Sequence, residues 1–145
     1  MGTDMTILPG TASFTFAGGV FNMGELVAWD IATNSRKWNI PEVKPIYGGI
    51  LATAGDVVFY PTLDNQFKAV DANSGAKLWN TTLECSSVGS PISFVSPKDN
   101  KQRIAIFSGV SWLAGGFTAT GKPCPGKGGS SVVSGGGRVH VYKLP

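Results

Sequence analysis

A strand–turn–strand unit occurs twice in this chain at a fixed spacing, and that spacing limits the fold more than any other feature. Residues 25–38 read ELVAWDIATNSRKW and residues 66–79 read QFKAVDANSGAKLW. Ala28, Asp30 and Trp38 recur 41 residues later as Ala69, Asp71 and Trp79. Each copy alternates as a strand, turns, and resumes as a second strand closing on a large aromatic ring. In the second turn, the Asp71 and Asn73 side chains suit bonds to nearby backbone N–H groups, and Gly75 supplies a left-handed residue without steric cost. Asn34 stands where Gly75 does, and Asn is the side chain next most tolerant of that backbone. A period near 40 built from strands and turns is what a four-stranded blade of a β-propeller requires. The expected fold class is therefore all-β, a β-propeller.

Composition agrees and excludes other classes. The chain has 145 residues, enough for one real core. Its twenty Gly, nine Pro and 14% charged residues suit a turn-rich β protein, not a helical or disordered one. The net charge of +3 is modest and its cations are scattered, with Lys98, Lys101 and Arg103 nearest to a cluster. That pattern reads as a solvated hairpin, not as a nucleic-acid surface. No apolar run approaches the ~18 residues a membrane span needs, and residues 1–11 lack the basic start and apolar stretch of a signal peptide. Cys85 and Cys124 are the two cysteines, without CxxC spacing and beside a single histidine, so a zinc site is not expected. They read either as two thiols or as a disulfide, which would suit an oxidising compartment and stabilise by ~3–4 kcal/mol.

In chain order, residues 2–8 read as a short strand, Pro9-Gly10 as a turn and residues 11–24 as a long connection. With two further strands these make a partial blade over 2–40. A complete blade follows over 46–83, its inner strand at 47–53, where Gly48 and Gly49 allow close backbone approach. A last blade over 89–143 carries a Gly/Ser/Pro-rich insertion at 111–137 and ends on RVHVYK without an outer strand. The first and last blades thus lack edges, and unpaired edges with apolar faces need cover. The expectation is an arc of about two to three blades, completed by further blades from another chain or from residues absent here.

The segments GELVAWDIAT, IYGGILATAGDVVFYPTLDNQFKAVDANSGAKLW, VGSPISF, FSGVSWLAGG and GGGRVHVYKLP cover most of the chain. In that order they resemble the C-terminal part of quinoprotein alcohol dehydrogenases of the methanol and ethanol dehydrogenase type. The resemblance implies an eight-bladed propeller that binds pyrroloquinoline quinone (PQQ) with a Ca²⁺ or lanthanide ion. Both hairpins carry that family's tryptophan-docking pattern, Ala-x-Asp followed by Trp. It further implies oxidation of primary alcohols or polyols, electron transfer to a c-type cytochrome or a quinone, and a periplasmic location. Eight blades of ~40 residues need roughly 320 residues, so the expected role is that of one arc. The catalytic aspartate and the metal ligands are expected upstream, leaving no catalytic and no metal-binding residue in this segment.

Three positions are the candidates for cofactor contact. Tyr47-Gly48-Gly49 stands where the family has Trp-Gly-Gly, so Tyr47 and Gly48 are expected at the quinone, Tyr47 offering a flat ring and a hydroxyl. Trp112 follows an inner strand, one place removed from the family's Gly-Val-Gly-Gly-Trp, and is a candidate wall of the pocket or its entrance. Core filling is the competing reading for Tyr47, and packing on the rim is the competing one for Trp112. Asp30 and Asp71 resemble an acid–base pair, but their place in turns assigns them to capping. His140 reads as a face residue of the last strand. The chief alternative function is a non-catalytic propeller of the same repeat, an assembly scaffold or sensor domain; a sugar-binding module is a third.

Overall fold

The computed structural model describes residues 4–8, 11–15, 22–109 and 137–143. The described residues form strands and turns without a helix, and every pairing between named strands is antiparallel. β1 (Asp4–Leu8) pairs with β2 (Thr11–Thr15), and β3 (Gly24–Asp30) pairs with β4 (Ser35–Glu42). β5 (Leu51–Ala52), β6 (Val57–Thr62), β7 (Gln66–Asp71) and β8 (Lys77–Thr82) make a four-stranded sheet in chain order. β9 (Ile92–Val95), β10 (Gln102–Ser108) and β11 (Arg138–Lys143) make a three-stranded sheet with β10 in the middle.

Two expectations change. The stretch read as a connection from residue 11 contains β2, with Leu8 opposite Thr11. Its alternation of Ala12 and Phe14 with Thr11, Ser13 and Thr15 is strand-like, but only one of the two apolar members is large. The inner strand expected over 47–53 shrinks to β5, where Leu51 faces Phe59 and Ala52 faces Val58. Continuing that ladder would set Gly49 opposite Pro61, whose nitrogen has no hydrogen to donate.

The central strands of the four-stranded sheet, β6 and β7, are buried on both faces. Alternation along β6 and β7 sends Phe59, Phe67 and Ala69 to one side, where they pack with Leu83 and with Ile104 and Ile106 of β10. The other side carries Val58, Tyr60 and Val70, which pack with Leu26 and the partly buried Trp38 and Ile40 of the β3–β4 sheet. Period-2 alternation thus serves two cores at once. Phe67 is fully buried, its ring centroid 5.9 Å from Trp79 and 5.7 Å from Tyr142; such a side chain contributes about 1.5–3 kcal/mol. On the third sheet, pairing puts Ile92, Ala105 and Val141 on one face and Phe107 beside Val139 on the same face. Ile92, Phe107, Val139 and Val141 are all exposed there.

The repeat is visible as contacts. A bulge falls between Ala28 and Trp29 in the first hairpin and between Ala69 and Val70 in the second. Asp30 Oδ1 accepts the backbone N–H groups of Ala32 (2.9 Å) and Thr33 (3.4 Å); Asp71 Oδ1 accepts those of Asn73 (3.0 Å) and Ser74 (2.8 Å). Asn34 and Gly75 both have positive φ, 50° and 74°. Trp38 crosses to the neighbouring sheet, where its indole N–H donates to the Ala72 carbonyl at 3.0 Å. Its ring lies so close to Gly75 that an added Cβ would sit 2.9 Å from Cδ2.

Gly75 therefore answers two demands, and they can be separated. Gly75→Asn tolerates the left-handed backbone but still meets the Trp38 ring, so urea denaturation should find it destabilised by about 1–3 kcal/mol. A Gly75→Asn variant as stable as the parent would show that the ring contact carries no weight. The Asp71 carboxyl is held below its ordinary value, first by the Ser74 hydroxyl and then by the backbone N–H groups of Ser74 and Asn73. Its contribution is complete above the ordinary carboxylate range and disappears as pH falls through the lowered folded value. Asp71→Asn should accordingly flatten the acid limb of a stability–pH curve.

Candidate functional site

The segment 42–49 leads from the end of β4 toward β5 and is fastened to the β6–β7 hairpin at three points. At the first, Glu42 is buried, accepting the Tyr60 hydroxyl at 2.8 Å on Oε1 and the Lys68 ammonium at 2.6 Å on Oε2. Burial, and then the Glu42 carboxylate as acceptor, pushes the Tyr60 hydroxyl well above its ordinary range, so it stays a donor. Breaking such a mostly buried pair by removing one partner costs about 3–5 kcal/mol. At the second, the Leu63 N–H donates to the Pro45 carbonyl at 3.0 Å. At the third, Gly48 lies against Pro61: an added Cβ would be 2.4 Å from Pro61 Cγ and 2.7 Å from the Gly89 carbonyl oxygen.

These fastenings put Tyr47 where inner segments of two sheets converge. Gly49 follows at once, and a Cβ there would fall 2.1 Å from Ser90 Oγ. The neighbours Gly89 and Ser90 belong to the next crossing, displaced by the same 41 residues as the hairpins. Tyr47 is 47% exposed and belongs to neither apolar cluster. A flat phenol ring, open to solvent beside backbone too crowded for side chains, is suited to be one wall of a binding pocket. Trp112 and most of the 111–137 insertion lie outside the described residues.

The remaining candidates have structural partners. Asp30 and Asp71 cap their turns, as assigned from the sequence. His140 Nε2 lies 2.8 Å from the buried Ser108 Oγ. Cys85 is buried and disulfide-bonded; the other cysteine of the sequence, Cys124, lies outside the described residues. Arg103 pairs with Asp99 at 2.5 Å within its own turn, so it is not the core of a basic patch. No group of three His, Cys, Asp or Glu side chains able to hold a metal occurs among the described residues. Near the outer end, Phe67, Leu78, Trp79, Tyr142 and Lys143 line an apolar cavity of about 440 Å³.

The Glu42–Tyr60–Lys68 network was not foreseen from the sequence. Lys68 alternates with Phe67 and Ala69, which on a sheet with one wet face would put it in water. The available signal was Tyr60, whose position on a strand apolar on both faces demands an acceptor.

Residues 22–104 match the β-propeller domain model of the glucose/ethanol/alcohol dehydrogenases that carry the PQQ name. The chain is 37% identical over 132 residues to the lanthanide-dependent methanol dehydrogenase of Methylorubrum extorquens, covering 85% of this chain and 22% of that protein. To methanol dehydrogenase [cytochrome c] subunit 1 of Methylobacterium organophilum it is 34% identical over 123 residues, 75% of this chain and 19% of that one. Among solved structures, the europium-containing methanol dehydrogenase superposes with a TM-score of 0.70 at 29% identity, over 97% of this chain and 28% of that chain. The chain spans about a fifth of the length of these curated relatives.

The crowding at Gly48 yields a controlled comparison. Gly48→Ala should destabilise by about 1–3 kcal/mol. Gly55→Ala, where nothing lies within 4 Å of an added Cβ, should stay within about 0.5 kcal/mol of the parent. Equal denaturation midpoints for the two variants would refute the close approach at Gly48.

Proposed function

The chain belongs to the glucose/ethanol/alcohol dehydrogenase family of PQQ β-propellers, and from that membership we propose that it supplies blades and part of the cofactor wall to a dehydrogenase of primary alcohols or polyols. The observation that carries this reading is the match over residues 22–104, joined to the relatives named as methanol dehydrogenases. PQQ with a Ca²⁺ or lanthanide ion is the proposed cofactor set, and when bound it supplies the redox chemistry.

Residues of this chain fit a supporting part. Tyr47 presents its half-exposed ring as a flat apolar surface, and its hydroxyl is free to meet a carboxylate at the ring's rim. Gly48, pressed on Pro61 and Gly89, keeps that surface close to the neighbouring crossing. The metal ligands would lie outside the described residues. Trp112 stays a proposed wall of the pocket or its entrance.

Further blades are the proposed partners. The face of the third sheet bearing Ile92, Phe107, Val139 and Val141 is exposed, whereas its counterpart on the second sheet, with Phe59, Phe67 and Ala69, is covered. On the first sheet Val27 and Trp29 are also exposed. Such faces are ordinarily buried by a neighbouring sheet. A c-type cytochrome is the proposed electron acceptor, supported by the cytochrome c in the name of a relative. A periplasmic location is supported by the disulfide at Cys85, which suits an oxidising compartment.

The test is reconstitution. The arc assembled with its complementing blades is mixed with PQQ and either Ca²⁺ or La³⁺, and dye reduction by a primary alcohol is followed. Turnover is expected with one of the metals. Absence of quinone binding under both would overturn the dehydrogenase reading in favour of a non-catalytic propeller.

A further inference from the structure

The two crossings between sheets are built on one plan but held differently. Leu63 N–H to the Pro45 carbonyl in the first corresponds to Gly109 N–H to the Ser86 carbonyl in the second, at 3.0 and 2.9 Å. Strand register extends the correspondence: Tyr60 faces Lys68 across β6–β7 as Ile106 faces His140 across β10–β11. On this alignment Leu83 takes the place of Glu42, and it is buried in the apolar cluster with Ile106. Where the second and third sheets meet through a leucine and an isoleucine, the first and second meet through Glu42, Tyr60 and Lys68. His140 turns to Ser108 of its own sheet.

A mostly buried ion pair with a tyrosine donor, in place of an available apolar pair, costs desolvation, and its return is a fixed geometry. The trio lies at the start of the crossing that carries Tyr47, whose counterpart in the second crossing is Val88. Glu42 is five residues from that ring. With the Pro45–Leu63 bond and the Gly48–Pro61 contact, it sets the path of the backbone on both sides of Tyr47. The carboxylate, unlike a leucine, is directional: two donors reach it from two different strands, fixing Glu42 against both β6 and β7.

We propose that Glu42, held by Tyr60 and Lys68, is a positioning residue for the Tyr47 ring, and through it for the quinone. The second half of this rests on the function proposed above; the first half does not. Glu42 touches no reacting atom and acts through the crossing.

The experiment uses the assembled protein with 3-fluorotyrosine incorporated, the Tyr47 ¹⁹F resonance being assigned by its loss in Tyr47→Phe. Two variants are compared with the parent. Glu42→Gln keeps an acceptor for Tyr60 but removes the charge that Lys68 needs. The triple variant Glu42→Leu, Tyr60→Ile, Lys68→His copies the residues that join the second and third sheets. The expected result is a shifted or broadened Tyr47 resonance in both, without quinone, and PQQ affinity weakened at least about fivefold in a fluorescence titration. The triple variant should melt close to the parent, which separates positioning from stability. A Tyr47 resonance unchanged in both variants would overturn the proposal. A resonance moved in the variants, with a parent protein that binds no PQQ, would keep Glu42 as the residue that positions Tyr47, and would sink the quinone reading alone.

Discussion

The described sheets are organised around β6 and β7, the two strands of the four-stranded sheet that have no wet face. Phe59, Phe67 and Ala69 look toward one neighbouring sheet while Val58, Tyr60 and Val70 look toward the other. β6 and β7 are therefore constrained from two sides, and a one-residue slip of their register would exchange two cores at once. The outer strands β4 and β8 carry the linking rings: Trp38 reaches across to the Ala72 carbonyl, and Trp79 lies with its centroid 5.2 Å from that of Tyr142. Sheets joined in this way behave as units of a row, each leaning on its neighbours, which is how repeat architectures gather stability.

The row is not uniform, and the departures are informative. The first junction is keyed by a buried carboxylate with two donors; the second is closed by aliphatic packing around Ile104, Ile106 and Leu83. Apolar packing of this kind is tolerant of which sheet meets which, since leucine and isoleucine surfaces are interchangeable to first order. An ion pair with a fixed hydrogen-bond pattern is not tolerant, because a wrong neighbour leaves a buried charge without a partner. The junction that uses it is the one whose crossing carries the half-exposed Tyr47.

Membership of the PQQ propeller family fits this division of labour. A cofactor that brings its own redox chemistry needs walls, orientation and exclusion of water from its protein. The described residues offer a flat ring, glycines that permit close approach, and a buried anchor, and they offer no metal-ligand cluster.

The sequence alone determined the repeat and hence the fold class: three matched residues at a spacing of 41, turns with Asp, Asn and Gly in the places their backbones demand, and strands alternating between. It placed Asp30 and Asp71 as caps because that role is local, settled within three residues. It misjudged β2, whose apolar members are one alanine and one phenylalanine, and the length of β5, which is limited by Pro61 in a strand of later sequence. The Glu42–Lys68 pair, the Gly48–Pro61 contact and the seat of Trp38 on Gly75 were decided only by tertiary structure. The reason is the one with which the structure begins. Alternation says which side of a strand a residue takes, but when both sides are covered it no longer says wet or dry, and only the meeting of the sheets fixes each partner.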